Sequence, residues 1–295
     1  MENERKLRAG VVLLLVWSAV ASFLLLRAGA AEGLLRLLKR TCRIPDPPLT
    51  AFGGFHLVCI AGCVALTLLA AGIAWRGVKE RTLDRVVFCT GIGFFLLEWY
   101  KQLFHFFVLG NGTYDFSVFP FQFCSLPLYI CLTAPMLGRR AKRACYRFLA
   151  LFGTVGGYLV MGYPSLPGTL SMCIHSMLWH TFMIALGVYL LIGLPCNGSW
   201  RRDWLPAAGM FLFFFAVATT LNLLLGPIAR DAGSVLNLFY MSPFYTNGYL
   251  IVSDVRRLWG WGASVAAYLL LFLFAGSLPL YGIGRLFGHL RRKKR

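Results

Sequence analysis

Phe119-Pro120-Phe121-Gln122-Phe123-Cys124-Ser125-Leu126-Pro127-Leu128-Tyr129 opens an apolar segment that carries no charge from Phe116 to Gly138. A run of that length is expected to cross a membrane, because about 20 apolar residues span a bilayer core. Yet Gln122, Cys124 and Ser125 stand together near its start, between Pro120 and Pro127. Polar groups in hydrocarbon need partners in protein or water, and proline removes a backbone donor, so the segment is poorly suited to plain contact with lipid. Two readings are open: a functional site, or a small packing cysteine beside a glutamine that bridges helices.

Around this stretch the composition is that of a membrane protein. The chain has 295 residues, 58% hydrophobic and only 14% charged, which points to an all-α polytopic membrane helix bundle. A net charge of +18 would suggest nucleic acid in a soluble protein. Here no nucleic-acid partner is expected, since Lys and Arg collect in the cytoplasmic loops of membrane proteins. The nine cysteines show neither CxxC nor Cys/His spacing, so no disulfide framework, metal or cofactor is expected. The sequence does not specify an oligomeric state.

Charge-free runs mark spans near 10–26, 52–75, 86–109, 117–137, 148–162, 173–195, 204–226 and 261–284: about eight transmembrane helices, or seven if the first does not cross. Tyr163-Pro164-Ser165-Leu166-Pro167-Gly168 breaks an otherwise charge-free stretch as a turn. Residues 1–50 are expected to form an N-terminal span plus an interfacial segment, in which Leu34, Leu35, Leu37 and Leu38 alternate with Arg36, Lys39 and Arg40. Residues 51–285 form the catalytic bundle, and 286–295 a basic cytoplasmic tail. Most of the 29 Lys and Arg residues fall in alternate connections, around 76–85, 139–147, 201–202 and 285–295. That bias predicts cytoplasmic N- and C-termini and, in a bacterium, residence in the plasma membrane. It also puts the connection at about 227–258 outside, as an aromatic lid that includes Tyr240 and Tyr245.

With helices rising about 1.5 Å per residue, the predicted spans act as a ruler. Cys124 and His180 each lie seven residues into a span entered from the same side, at a depth of about 10 Å. Lys101 reaches a similar level, and His56, His105, His175 and Asn222 lie somewhat shallower. Ionisable residues at membrane depth face a bundle interior and are functional candidates. Glu98 and Lys101, at i and i+3, are read first as a pair locking helices together, with headgroup contact as their second use. For Cys124 the expectation is a thiol nucleophile with His180 as its base and His175 as the second choice. Cys131, with no polar neighbours in sequence, is the ordinary buried cysteine for comparison.

Glu98-Trp99-Tyr100-Lys101-Gln102 ahead of Phe119–Ser125 resembles the bacterial YwaF-type integral membrane proteins, which are grouped with the transmembrane protein 164 family of acyltransferases. Phe52-Gly53-Gly54-Phe55-His56, Tyr163-Pro164-Ser165, His175-Ser176-Met177-Leu178-Trp179-His180 and Leu236–Pro243 extend the resemblance over about residues 50–275. It implies acyl transfer between a membrane phospholipid and a lyso-phospholipid through an acyl-cysteine, with Cys124 and His180 as the catalytic pair. Gln122, Ser125, Tyr240 and Tyr245 are then supporting or substrate contacts, with Gln122 or a backbone amide freed beside Pro127 as the oxyanion donor. The competing expectations are a transporter, a lipid-binding scaffold with a non-catalytic cysteine, and a lipid hydrolase.

Overall fold

The computed structural model describes residues 18, 28–196, 199–246 and 250–293. The expected first span, 10–26, lies outside the described residues apart from Ser18. Among the described residues there are helices and no strands. In chain order these are α1 (Ala28–Thr41), α2 (Gly54–Trp75), α3 (Glu80–Phe104), α4 (Phe123–Met136), α5 (Arg139–Gly162), α6 (Leu170–Gly193), α7 (Trp200–Asp231) and α8 (Ile251–Lys293). The all-α bundle read from the sequence is the fold.

Five of these helices, α2 and α5 to α8, are long and apolar enough to cross a bilayer. The burial pattern explains how they divide the work. α6 packs against α2, α3, α5 and α8. Much of α5 and α6 is enclosed, whereas α2 exposes Val58, Leu68 and Leu69. Rows of exposed branched side chains on a helix would be an aggregation hazard in water and are the normal surface in lipid. α1 is the amphipathic helix expected near 31–43. Its Leu38 is buried against Phe104 and Met172, and its Thr41 hydroxyl meets the Tyr100 hydroxyl at 2.9 Å.

The expected 261–284 span is longer: α8 starts at Ile251 inside the expected lid, is kinked at Gly260 (φ 83) and stays helical to Lys293. Three further boundaries differ from the sequence expectation. The 117–137 span is shorter than its apolar run, because α4 starts only at Phe123. Residues 116–118 form an isolated 3-10 turn, and Asp115 caps it by accepting the Ser117 N–H. A helix of this length reaches roughly 20 Å, short of the bilayer core of about 30 Å. Second, α7 runs through Pro227 to Asp231, so the lid begins later than 227. Third, α5 begins at Arg139, so its basic first turns are helical. Arg147, expected in a charged loop, is fully buried within α5.

Arg147 is tolerated there because its partners are complete. Its Nε donates to Asp203 Oδ1 at 3.1 Å, and its terminal nitrogens donate to the carbonyls of Leu194 and Pro195. Arg143 adds a second ion pair to Asp203 at 2.8 Å, while Lys142 and Tyr146 both donate to Asp84. These bonds tie α3, α5, the turn after α6 and the start of α7 together at the end of the bundle remote from Cys124.

Removing one partner of a buried pair leaves the other charge unsatisfied. Asp203→Ala is therefore expected to lower stability by about 3–5 kcal/mol, read as a fall in the thermal midpoint of the detergent-purified protein. Asp203→Leu with Arg147→Met is expected to lose distinctly less than Asp203→Ala alone, because no orphan charge is left inside.

Candidate functional site

The chain leaves helix geometry just before Cys124, and this places the residue. Gln122 is extended (φ −66, ψ 158), and Phe123–Ser125 form one 3-10 turn that runs into the α-helical part of α4 behind Pro127. Cys124 thus stands in the first turn of a helix rather than seven residues within one. Backbone N–H groups of a first turn have no partner inside their helix, and the positive end of the peptide dipoles lies there.

Three neighbouring residues each fix this turn in a different direction. Gln122 Oε1 accepts from Phe239 N at 3.1 Å, and its Nε2 donates to Asn237 O at 3.3 Å. The Phe123 ring sits edge-on among Phe148, Phe211, Phe239 and Phe272, with centroid distances of 5.0–6.3 Å. The Cys124 carbonyl accepts from Trp179 Nε1 at 2.8 Å.

Cys124 and His180 line the same cavity, of about 580 Å³. That volume is within the range of ligand pockets, about 300–1,000 Å³. Its walls include Gln122 and Phe123 beside Cys124, Ala51 and Phe52 ahead of α2, Gly156, Leu159 and Val160 of α5 with Tyr163 just after it, Ser176 and His180 of α6, Tyr240 of the lid, and Tyr268 and Phe272 of α8. Gly156 is needed for that closeness. A Cβ added there would lie 2.5 Å from the Phe123 ring.

The protonation pattern of His180 follows from its partners. Nδ1 lies 2.7 Å from Ser176 O, and a carbonyl can only accept, so the proton is on Nδ1. Nε2 is buried and has no hydrogen-bond partner. A neutral imidazole in this tautomer offers a lone pair at Nε2, which is what a general base requires.

The other sequence candidates divide by position. His175 does not line the cavity: its Nε2 donates to Leu97 O at 3.1 Å and its ring lies on Trp179, so it joins α6 to α3. His56 is fully buried and doubly bonded. It accepts from Phe52 N at 2.9 Å and donates to Met161 O at 3.0 Å. It thereby holds Phe52 in a left-handed conformation (φ 60) at the cavity wall. Glu98 Oε1 meets Lys101 Nζ at 2.9 Å and Gln102 Nε2 at 2.8 Å, and Gln102 reaches on to Val118 O. That pair fastens α3 to the turn ahead of α4 and does not line the Cys124 cavity.

Ser125 is buried immediately after Cys124. Asn222 is fully buried and clamps Leu238 by both its N–H and its carbonyl, at 2.8 and 2.9 Å. Gln122, expected as an oxyanion donor, lines the cavity beside Cys124 while its amide also bonds the same lid loop. Tyr240 lines the cavity, whereas Tyr245 donates to Ser234 O at 3.3 Å and lies outside it.

His105 faces a separate cavity of about 440 Å³ with Asp115 and Ser234. Its Nδ1 is 3.6 Å from Asp115 Oδ2, beyond hydrogen-bond reach. Burial works to raise the Asp115 pKa, but hydrogen bonds from Ser117 and Ser234 and the nearby His105 outweigh it and leave the carboxyl below its usual range.

Most of the wall was not among the sequence candidates, Phe52, Ser176 and Phe272 included, and neither was the anchor Trp179. Ser176 was within reach, since its i−4 spacing from His180 puts its carbonyl under that ring. Nothing in the sequence marked Trp179 as the donor to Cys124 O.

A model of the TMEM164 family matches residues 51–277, a stretch that contains every residue lining this cavity. The chain belongs to the TMEM164 family. Comparison with curated proteins and with solved structures gave no match. The matched region begins at the Ala51–Phe52 wall and takes in α2 to α7 and most of α8. In this TMEM164-family chain α1 lies outside the match, as does the end of α8 beyond Ser277.

The clamp on the lid is open to direct measurement. Asn222→Leu strips both partners from Leu238, and unsatisfied buried peptide groups cost about 1–3 kcal/mol each. Amide hydrogen exchange at 237–241 is expected to quicken by about tenfold or more, while exchange within α6 stays unchanged. Equal protection in both proteins would show that the loop is held by other means.

Proposed function

We propose that this TMEM164-family membrane protein is an acyltransferase that moves a fatty acyl chain between phospholipids through an acyl-Cys124 intermediate. The observation that supports it is the shared cavity: Cys124 and His180 both line it, and the buried His180 Nε2 has no hydrogen-bond partner, Cys124 Sγ included. His180 Nε2 takes the proton of the Cys124 thiol, and sulfur attacks the ester carbonyl of a donor phospholipid. The carbonyl–oxygen bond then breaks, the departing lyso-phospholipid oxygen takes the proton from His180, and a thioester remains. In the second half the hydroxyl of an acceptor lyso-phospholipid gives its proton to His180 and attacks the thioester. The carbon–sulfur bond breaks, and the thiol is regenerated with the proton from His180. Dividing one exchange into two easier steps is the gain from a covalent intermediate.

The supporting groups follow from the geometry. The Ser125 and Leu126 N–H groups are taken by Gln122 O and Phe123 O, so the N–H of Cys124 itself is the first-turn donor beside the thiol, where the tetrahedral oxyanion would form. Tyr240 and Tyr163 stand at the cavity wall for the polar part of the lipid, and Leu159, Val160 and Phe272 offer apolar surface to the chain. By the positive-inside rule the basic end of the bundle faces the cytoplasm, so the cavity lies in the outer half of the bilayer, near the depth of phospholipid esters. Packed rings of Phe123, Phe148, Phe152 and Phe211 lie beside it, which speaks against a transport path through the bundle.

In nanodiscs with alkyne-tagged phosphatidylcholine, Cys124 is expected to gain label that hydroxylamine removes. Cys131→Ala is expected to label normally, since Cys131 is fully buried against Gly91 away from the cavity. His180→Ala should cut the labelling rate by about a hundredfold or more. Adding lyso-phospholipid should move the tag onto that acceptor. Label that survives Cys124→Ala would refute the covalent route, and tag released only as free fatty acid would make the protein a hydrolase.

A further inference from the structure

A third cavity lies at the end of the bundle remote from Cys124. It measures about 560 Å³, and its wall includes Trp75, Arg76, Lys79, Pro195, Arg291 and Arg292 and no carboxylate. Lys142, Arg143 and Arg147 at this end are paired, Lys142 with Asp84 at 2.7 Å and both arginines with Asp203, whereas Arg201 and Arg202 stand exposed outside the cavity. Among the described residues Arg76, Lys79 and Arg292 have no such partner, and all three are exposed. The adjacent acid, Glu80, lies 3.6 Å from Lys142 of α5.

The chain is built to bring these charges together. Gly77 adopts φ 97, a conformation that side-chain-bearing residues rarely hold, and so turns the chain between Arg76 and Lys79. α3 begins at Glu80 without a side-chain cap from Lys79, so the positive end of its dipole also faces this turn. Arg291 acts as a strut from α8. Its guanidinium donates to the carbonyls of Ala74 and Trp75 and lies 6.0 Å from the centre of the Trp75 ring. Cations gathered without acids repel one another, and an anion placed among them relieves that repulsion. Trp75 is partly buried and packs on Phe287 at 5.8 Å, giving the cavity the mixed aromatic and basic character of a membrane interface.

We propose that this cavity binds a phosphate-bearing anion, carried by the headgroup of an anionic phospholipid or present as free phosphate. The site is separate from the acyl-transfer cavity, and its test does not depend on any enzymatic activity.

The full-length protein in a neutral detergent would be titrated with short-chain phosphatidylglycerol, with short-chain phosphatidylcholine and with inorganic phosphate, the thermal midpoint being followed in each case. Phosphatidylglycerol is expected to raise the midpoint where phosphatidylcholine does not. Arg76→Gln with Lys79→Gln is expected to weaken that response by about thirtyfold in apparent affinity. Arg201→Gln with Arg202→Gln removes equal charge from exposed positions outside the cavity and is expected to leave the response intact. A matching rise with inorganic phosphate would identify the phosphate group itself as the ligand, and a rise with the lipid alone would identify the headgroup. Equal weakening in both double variants, or in neither, overturns the site. The unliganded midpoint of each variant shows that it is folded.

Discussion

The rest of the structure depends on the seat of the Phe123 ring. Four edge-to-face neighbours from α5, α7, α8 and the lid enclose it, and each such pair contributes about 0.5–1.5 kcal/mol beyond the burial itself. With Phe123 fixed, its neighbours have little freedom: Gln122 is directed to the lid and Cys124 presents its carbonyl to Trp179. A side chain on a free loop would drift by ångströms, whereas Cys124 is carried by a turn fastened on three sides. The aromatic core therefore supports more than packing, because it sets the position of the one cysteine on the cavity wall.

The same economy governs the polar residues within the bundle. Gln122 and Asn222 both spend their amides on the backbone of 237–239, a loop whose Phe239 and Tyr240 hold positive φ (55 and 56). Such conformations persist in bulky residues only when their surroundings over-determine them. Arg256 adds three donations, to the carbonyls of Ser242, Pro243 and Tyr245, and Trp261 donates to Met241 O. The lid is thus a backbone-rich structure whose carbonyls are met by side chains from the bundle. A loop can lie over a membrane cavity only on that condition.

Much of this was legible from residue chemistry, and the rest was hidden for identifiable reasons. Charge-free runs give helices wherever the helix follows its apolar run, as in α2 and α6. They fail at 117–122, where apolar residues occur but prolines and a 3-10 turn take the backbone out of helix. The depth ruler brought Cys124 and His180 to one level although Cys124 lies on a turn, because both residues enter from the same end of the bundle. What depth cannot supply is azimuth. α5 and α8 contain π turns at Leu149–Gly153 and Leu271–Gly276, and an inserted residue rotates everything beyond it relative to a 3.6-residue period. α5 accordingly buries Arg147 at one end and turns Gly156 and Val160 toward the cavity at the other, an arrangement that no single amphipathic stripe encodes.

Azimuth also separates the two histidines of α6, which sequence alone ranked without deciding. Five residues apart, they point roughly 140° away from one another around the helix, so at most one can face a given cavity. Each donates one ring N–H to a carbonyl, but the source of that carbonyl differs. His175 bonds to Leu97 on α3, so its orientation depends on two helices keeping register. His180 bonds to Ser176, one turn earlier on its own helix. Its tautomer is therefore set inside α6 and survives any movement of the lid or of α8. The acyl transfer proposed above would need a base that stays aimed while a lipid enters and leaves; a helix that orients its own imidazole meets that need, and of the two histidines only His180 is held in that way.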